Sequence, residues 1–550
     1  MTHREILRAL SGLMLGIFVA LLASTVVSSS LPKIIGDLGG TQASFTWVIT
    51  ATLLATTVST PVWGKLADLT NRKMLVQLAL IIFTLGSILA GLSQSSSTLI
   101  ACRVLQGLGA GGLTALVQVV MSDILSPRER GKYMGLLGAI TAIPTIAGPL
   151  IGGVITDTIG WRWNFYVSVP FAVVAIVLLQ RTLHLPTTKR KVRIDYLGTI
   201  FVASGVSLLL IWISLAGDQF AWGSSTSYIM VTASLLLIVA AVITETQVAE
   251  PLIPPSLFKN KTLVLSVIAS AAIGIVLFGT SVFLSQYMQL ARGKSPTESG
   301  LLTIPMIVGT LVSSAGIGRI ITRTGVWKRY VVTGTVITTV GTALMGTVRY
   351  DTNFVFVGLY MLLIGLGVGA VMQNLVLIVQ NTVSVHEIGA ASSTVSFFRS
   401  LGGAVGVAGL GAVLAHQVGS KISEKVEAAG IVLPTGQDSR AIPDLATMPG
   451  PVQIVIESSY GEAIGDMFLV AAPFMLIAIV ATALLPNREL GNESGIQKLA
   501  KERPTDAGLA ATPSDPTDVP PTPDLTSVDP TAAIAPTSPK PTTHPGTTRP

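Results

Sequence analysis

About fourteen runs of roughly 20 apolar residues follow one another along this chain, separated mostly by short polar loops. A bilayer core is about 30 Å thick and offers the backbone no water, so a run of that length must satisfy its own hydrogen bonds as a helix. The runs lie near residues 10–31, 45–64, 75–94, 98–122, 132–157, 163–181, 196–216, 227–247, 262–290, 299–318, 330–348, 353–377, 393–417 and 464–485. This pattern predicts an all-α membrane protein with about 14 transmembrane helices. Composition agrees: half of the residues are hydrophobic, 11% are charged, and mean hydropathy is +0.68. Ordinary soluble domains carry roughly 25% charged residues. The first run follows Arg4 and Arg8 and has the look of a signal peptide, but with so many spans behind it we read an uncleaved first helix.

The net charge of +7 does not point to nucleic acid, because the basic residues sit in the loops between spans. On the N-terminal side the loops hold about 19 Lys and Arg, against 8 on the other. Basic loops stay in the cytoplasm, and an even span count puts both termini on one side, so both are expected there. Residues 491–550 are rich in Pro, Thr, Asp and Ala without apolar periodicity and read as a disordered cytoplasmic tail. Residues 418–461 form the one long outer loop, with a short amphipathic element lying on the bundle as one reading. The lone Cys102 excludes an internal disulfide, the five histidines lack metal-ligand spacing, and no G-x-x-x-x-G-K-[ST] stretch is present. Nothing calls for a cofactor, a metal or catalysis.

An internal echo points to paired halves. Gly64 and Gly318 open charged loops after spans two and ten, and Gly148 and Gly402 sit in spans five and thirteen; both pairs are 254 residues apart. The expected division is a six-helix bundle over 1–181, two inserted helices with linkers over 182–261, and a second six-helix bundle over 262–490.

Span four, LIACRVLQGLGAGGLTALVQVVM, carries one arginine in an uncharged run. Arg103, Gln106, Ala110, Thr114 and Gln118 fall on one helical stripe, and Gly107 and Gly111 form a G-x-x-x-G packing face. A charge at membrane depth is costly unless it faces protein or water, so Arg103 marks a pathway; bonding to nearby backbone carbonyls is the structural alternative.

The loop GKLADLTNRKM resembles the signature of the major facilitator superfamily at Gly64, Leu66, Ala67, Asp68, Arg72 and Lys73. Asn71 replaces the usual glycine, a mild change if a left-handed turn is needed there. The resemblance implies a conformational latch of Gly64, Asp68 and Arg72, with Asp123 as a further member. R-V-L-Q-G-L-G resembles a second family motif, which implies a proton-coupling role for Arg103 and Gln106. Span five resembles the antiporter signature at Gly135, Gly148, Pro149, Gly152 and Gly153, with Pro144 in place of its middle glycine. WRWNFYVSVP, FFRSLGGAVGVA and the span count narrow the resemblance to the fourteen-span drug:proton antiporter branch. It implies the major facilitator fold, two six-helix bundles plus two inserted central helices.

Span one departs from that branch, with Ala23 where an aspartate is usual and Ser28 in place of an asparagine. No Asp or Glu lies in the middle of any span, so a strict preference for dications is not expected. Candidate proton sites are Asp466, His416 and the Asp68–Asp123 cluster. Gln118, Gln286, Gln289, Gln373, Asn374 and Arg399 are the polar groups expected to line a substrate cavity. The expected activity is multidrug efflux of small amphipathic compounds across a bacterial cytoplasmic membrane by a monomer, with protons as coupling ion. A dedicated exporter of one metabolite, antibiotic or lipid is the alternative, and a non-transporting sensor or scaffold the second.

Overall fold

The computed structural model describes residues 3–69, 71–124, 140, 144, 147–148, 150–182, 196–216, 220–248, 251, 253–383, 387–429 and 449–487. Of residues 3–9, 65, 68–69, 118–119, 121–124, 196, 322–323, 388–389 and 429 it describes the backbone alone. The predicted tail, residues 491–550, lies outside the described residues. The first half begins with α1 (His3–Asp37), α2 (Gln42–Leu69), α3 (Arg72–Gly91) and α4 (Ser96–Ile124). Next come α5, helical over 150–158 and at the described positions from 140, and α6 (Trp163–Tyr166 and Ser168–Thr182). The inserted pair is α7 (Tyr196–Leu215) and α8 (Ser225–Gln247). The second half holds α9 (Lys261–Gln286), α10 (Pro296–Leu302 and Ile304–Thr324), α11 (Lys328–Met345), α12 (Phe354–Thr382), α13 (Ile388–Ala429) and α14 (Gly450–Leu484).

Twelve helices among the described residues are long and apolar enough to cross a bilayer. The partly described α5 and the threonine-rich α11 bring the helices to the expected fourteen. In α11 the hydroxyls of Thr335, Thr338, Thr339 and Thr342 donate to backbone carbonyls three or four residues back at 2.8–2.9 Å. That satisfies them inside the helix, so a polar composition still suits lipid.

Helix starts follow the chain's capping residues. Asn71, Ser224, Asn260 and Asn353 each accept a hydrogen bond from a backbone N–H in the first turn of the following helix. Asn71 is not in a left-handed turn: its φ of −66° and ψ of 111° are those of an N-cap. Asparagine is well chosen there because its side chain accepts from Lys73 N at 3.0 Å.

Each half packs through glycine-lined contacts. Gly107 and Gly111 of α4 abut the α2 backbone at Thr52 and Thr56, and Gly109 and Gly112 abut α3 at Phe83 and Ala79. In the second half, Gly365 and Gly369 of α12 meet α10 at Met306 and Thr310, while Gly402 and Gly406 of α13 meet α9 at Ala271 and Ile275. Helices of similar apolarity to lipid associate by such close approach rather than by hydrophobic exclusion. α7 lies against both α2 and α13, with Val206 and Leu210 packed on Ala404 and Ala408 and flanked by Leu53 and Leu54. The inserted pair therefore attaches along the line where the halves meet.

The predicted outer loop is shorter than expected. α13 spans 42 residues and α14 spans 35, so helix continues past 417 and begins again at Gly450 rather than 464. At 1.5 Å per residue, α13 is about 63 Å long, roughly twice the bilayer core. Helix is set by the backbone and its packing rather than by hydropathy, so these helices run past the apolar runs that predict them, with Val452, Ile456 and Tyr460 buried; residues 430–448 lie outside the described residues.

Candidate functional site

The seam between the halves is built from the polar run of α1, Ser24-Thr25-Val26-Val27-Ser28-Ser29-Ser30. One side of it serves α5. Thr25 Oγ1 donates to Pro144 O at 2.9 Å, Ser30 Oγ to Gly152 O at 3.0 Å, and Thr156 Oγ1 to Ser30 Oγ at 2.7 Å. A side chain on Gly148 would strike Thr25, and one on Gly152 would strike the Val26 carbonyl, so these glycines set the α1–α5 distance. The other side serves the second half. Ser29 O accepts from Gln289 Nε2 at 2.5 Å and from Ser285 Oγ at 3.2 Å.

Beside it, Gln42 at the start of α2 and Gln286 at the end of α9 exchange hydrogen bonds in both directions, at 2.5 and 3.2 Å. Asp157 of α5 accepts from Thr297 Oγ1 at 2.5 Å, and Gly153 lies directly against the Thr297 backbone. Gly411 of α13 abuts Thr46 of α2. Following Gln286, α9 winds into a single π-helical turn, Tyr287–Ala291, which brings Gln289 toward α1 while Gln286 faces α2. Such turns concentrate at functional positions. The seam closes the end of the bundle that carries Asp37 and Ala291, opposite the N terminus.

Gln286 and Gln289, expected on a cavity wall, are thus buried and bonded in this seam. Asn374 is also buried and donates to Ala370 O at 2.6 Å, whereas Gln373 is exposed. The side chains of Gln118, Asp68 and Asp123 lie outside the described residues, as do Gly135 and Pro149. Gly64 ends a turn of α2 with open space where a side chain would stand, and Arg72 opens α3.

Arg103 is buried, and Nη1 donates to Gln106 Oε1 at 2.5 Å; Gln106 Nε2 in turn donates to Ser87 Oγ of α3 at 2.7 Å. Among the described residues Arg103 Nε has no hydrogen-bond partner. Arg399 in α13 donates to Ser396 Oγ at 3.2 Å. Neither arginine meets a carboxylate among the described residues. The backbone-carbonyl alternative for Arg103 is not the arrangement found: its partner is a side-chain amide. Ala23, at the position where the branch carries an aspartate, is fully buried in the apolar core of the first half with Leu13 and Leu113.

Carboxylates collect instead on α14, at Glu462 and Asp466, where the last turns of α13 pack against it. Lys421 Nζ lies 3.3 Å from Glu462 and 3.1 Å from Asp466, Lys425 Nζ 2.7 Å from Glu462, and Arg349 Nη2 3.5 Å from Asp466. The sequence signal was present as two four-residue spacings, Lys421/Lys425 and Glu462/Asp466, but nothing local said that they face each other. Asp466 is thereby an ion-pair partner, and His416 is exposed.

The model for the Major Facilitator Superfamily matches residues 13–407. The chain belongs to the Major Facilitator Superfamily. It is 31% identical over 518 residues to the multidrug transporter protein MdtP of Bacillus subtilis, covering 90% of this chain and 95% of that one. It is 32% identical over 478 residues to an uncharacterized MFS-type transporter of Mycobacterium tuberculosis, covering 86% and 69%. Efflux pump dotC of Dothistroma septosporum is 28% identical over 503 residues, covering 90% and 86%. Among solved structures, a bacterial homologue of the human lysosomal transporter Spinster, inward-facing and unoccupied, superimposes with a TM-score of 0.57 at 14% identity, covering 90% and 100%. An auto-inhibited POT family peptide transporter gives 0.60 at 14% identity, covering 88% and 98%. This major facilitator is a multi-pass membrane transporter, not an enzyme.

Proposed function

We propose that this transporter exports small amphipathic compounds across the bacterial cytoplasmic membrane, with both termini in the cytoplasm, by proton-coupled alternating access as a monomer. The observation that carries the mechanism is the seam. Its members are neutral amides and hydroxyls, apart from Asp157, and each hydrogen bond contributes about 1 kcal/mol net because water can replace it. A closure of that kind holds one end shut yet exchanges its bonds for water when the halves rock apart. With the basic loops inside, the closed end is the outer one, so the cavity is reached from the cytoplasm before export.

Export as the direction is supported by the relatives named as a multidrug transporter and an efflux pump. The antiporter-type glycines Gly148 and Gly152 support it as well, because they set the α1–α5 contact behind the seam. Substrate character follows from the charges: Arg103 and Arg399 meet no described carboxylate, and Ala23 fills the place of one with core. Neutral, zwitterionic and anionic amphipaths suit that interior better than dications. The latch of Gly64, Asp68, Arg72 and Asp123 would hold the cytoplasmic end shut in the opposite state, and Asp68→Asn should impair transport without removing protein from the membrane.

Dye efflux from proteoliposomes, with and without an imposed pH gradient, tests the reading. Gradient-dependent efflux of several unrelated dyes is the expected result. Movement of one compound class alone, or of no dye at all, would favour the dedicated exporter, and dye movement without gradient dependence another coupling ion.

A further inference from the structure

A groove of about 280 Å³ opens on the lipid-facing surface between α3 and α6, lined by Gln77, Ile81, Ile176, Val177, Gln180 and Arg181. It begins at the end of the bundle that carries the N terminus. Its lining runs from Gln77 to Ile81 on α3 and from Arg181 back to Ile176 on α6, about 6–8 Å along the helix axes, so it takes the headgroup end of an acyl chain. Its walls are apolar, and Ile81 and Val177 are both more than 40% exposed. Its volume lies just below the range of pockets that enclose a compact drug-sized molecule, and suits a segment of an extended chain.

The headgroup end is polar and positive. Lys73 Nζ donates to Gln180 O, in the last turn of α6, at 2.7 Å, and Gln77 Nε2 donates to Gln180 Oε1 at 2.7 Å. Those two bonds tie α3 to α6 at the floor. Lys73 has no carboxylate partner among the described residues and keeps two further N–H donors. Arg181 is exposed and makes no hydrogen bond or ion pair to another described residue. Two cations with no carboxylate partner among the described residues therefore flank the mouth of a short apolar groove.

We infer that this α3–α6 groove is a binding site for an anionic phospholipid of the leaflet facing the N terminus, its headgroup held by Lys73 and Arg181 and one acyl chain laid along Ile81, Ile176 and Val177. A zwitterionic headgroup would bring its own ammonium to the same two cations, and a purely apolar occupant would leave them unmatched. Basic pockets between membrane helices select acidic headgroups on these grounds, and two cations are worth about a thirtyfold preference. Lys73 also belongs to the signature stretch that begins at Gly64 in the last turns of α2, so a bound headgroup would brace the first turn of α3. This inference is independent of what the transporter carries.

The test is native mass spectrometry of the purified full chain, titrated in detergent with phosphatidylglycerol or phosphatidylethanolamine of matched acyl chains. The wild-type protein is expected to retain one phosphatidylglycerol about thirtyfold more tightly than phosphatidylethanolamine. K73Q/R181Q should lose that preference while keeping its helix content and gel-filtration profile. Lys259→Gln, which removes an exposed cation from the same membrane side away from the groove, should keep it. Ile81→Trp, which fills the groove and spares both cations, should weaken retention as the charge variant does. Equal retention of the two lipids by the wild type would overturn the assignment without any variant being needed, as would undiminished selectivity in K73Q/R181Q.

Discussion

Arg103 carries a charge into the interior of α4 and gives it only an amide to bond. Removing one partner of a buried ion pair leaves an uncompensated charge and destabilises by about 3–5 kcal/mol, but here no described carboxylate is left behind. Arg103→Ala removes a buried charge but leaves the buried Gln106 Oε1 unpaired, at about 1–3 kcal/mol, so Tm should fall by no more than a few degrees while gradient-driven dye export falls at least tenfold. A large drop in Tm together with the loss of export would return Arg103 to a structural role. Gln286 makes a second prediction at this scale. Gln286→Leu leaves the buried Gln42 amide unpaired, at about 1–3 kcal/mol, which shifts the closed population about fivefold to 150-fold. In a Cys102→Ser background with a thiol placed at Ser299, labelling by an impermeant maleimide from the outer side should rise accordingly. The double change Gln42→Leu with Gln286→Leu should restore slow labelling, because two apolar groups leave nothing unpaired. The burial of a charge at Arg103 was legible in the sequence as a lone arginine in an apolar run. The pairing of Gln42 with Gln286 was not, since 244 residues separate them and either amide alone reads as a cavity group.

Helices, unlike pairings, were largely written in the local sequence. Apolar runs gave fourteen spans because lipid permits the backbone few other solutions. The G-x-x-x-G face of α4 was visible by spacing, and α4 meets α2 there. Where prediction and structure part, hydropathy and helicity are different quantities. α13 and α14 continue past their predicted spans, supported by the pairing of Lys421 and Lys425 with Glu462 and Asp466, and no hydropathy window registers that support. The π-helical turn after α9 likewise has no local signature, although it presents Gln286 and Gln289 to different partners. The α5 glycines give a prediction at this scale. Gly153 faces the Thr297 backbone of the second half, whereas Gly152 faces α1 within its own half. Gly153→Val should prop the seam open, raising outer-side labelling at Ser299 with little change in Tm. Gly152→Val should lower Tm by several degrees, because overpacking within a half costs about 1–3 kcal/mol. Equal effects from the two variants would contradict the division of labour between these neighbours.

At the scale of the whole molecule, the inserted pair α7–α8 is the part that the paired halves do not need for their own closure. The seam joins α1, α2 and α5 to α9, α10 and α13 without contribution from it, and most of α8 faces lipid. α7 nevertheless rests on both α2 and α13, so it must slide on at least one of them whenever the halves rock. Peeling an apolar helix from this surface exposes Leu53, Leu54, Ala404 and Ala408 to lipid tails rather than to water, and lipid is as apolar as the helix it replaces. Removing two spans also preserves parity, so α9 still enters the membrane from the side where α6 leaves it. A chain in which residues 183–260 are replaced by a short flexible linker should therefore insert, keep its helix content, and export dyes within about tenfold of the intact rate, with the lost packing lowering Tm. Export at the full rate would make α7 a passenger at the seam. Complete loss of export in a protein that still inserts and folds would make it a bearing on which the rocking motion depends, and that outcome would shift the mechanism from two halves to three moving parts.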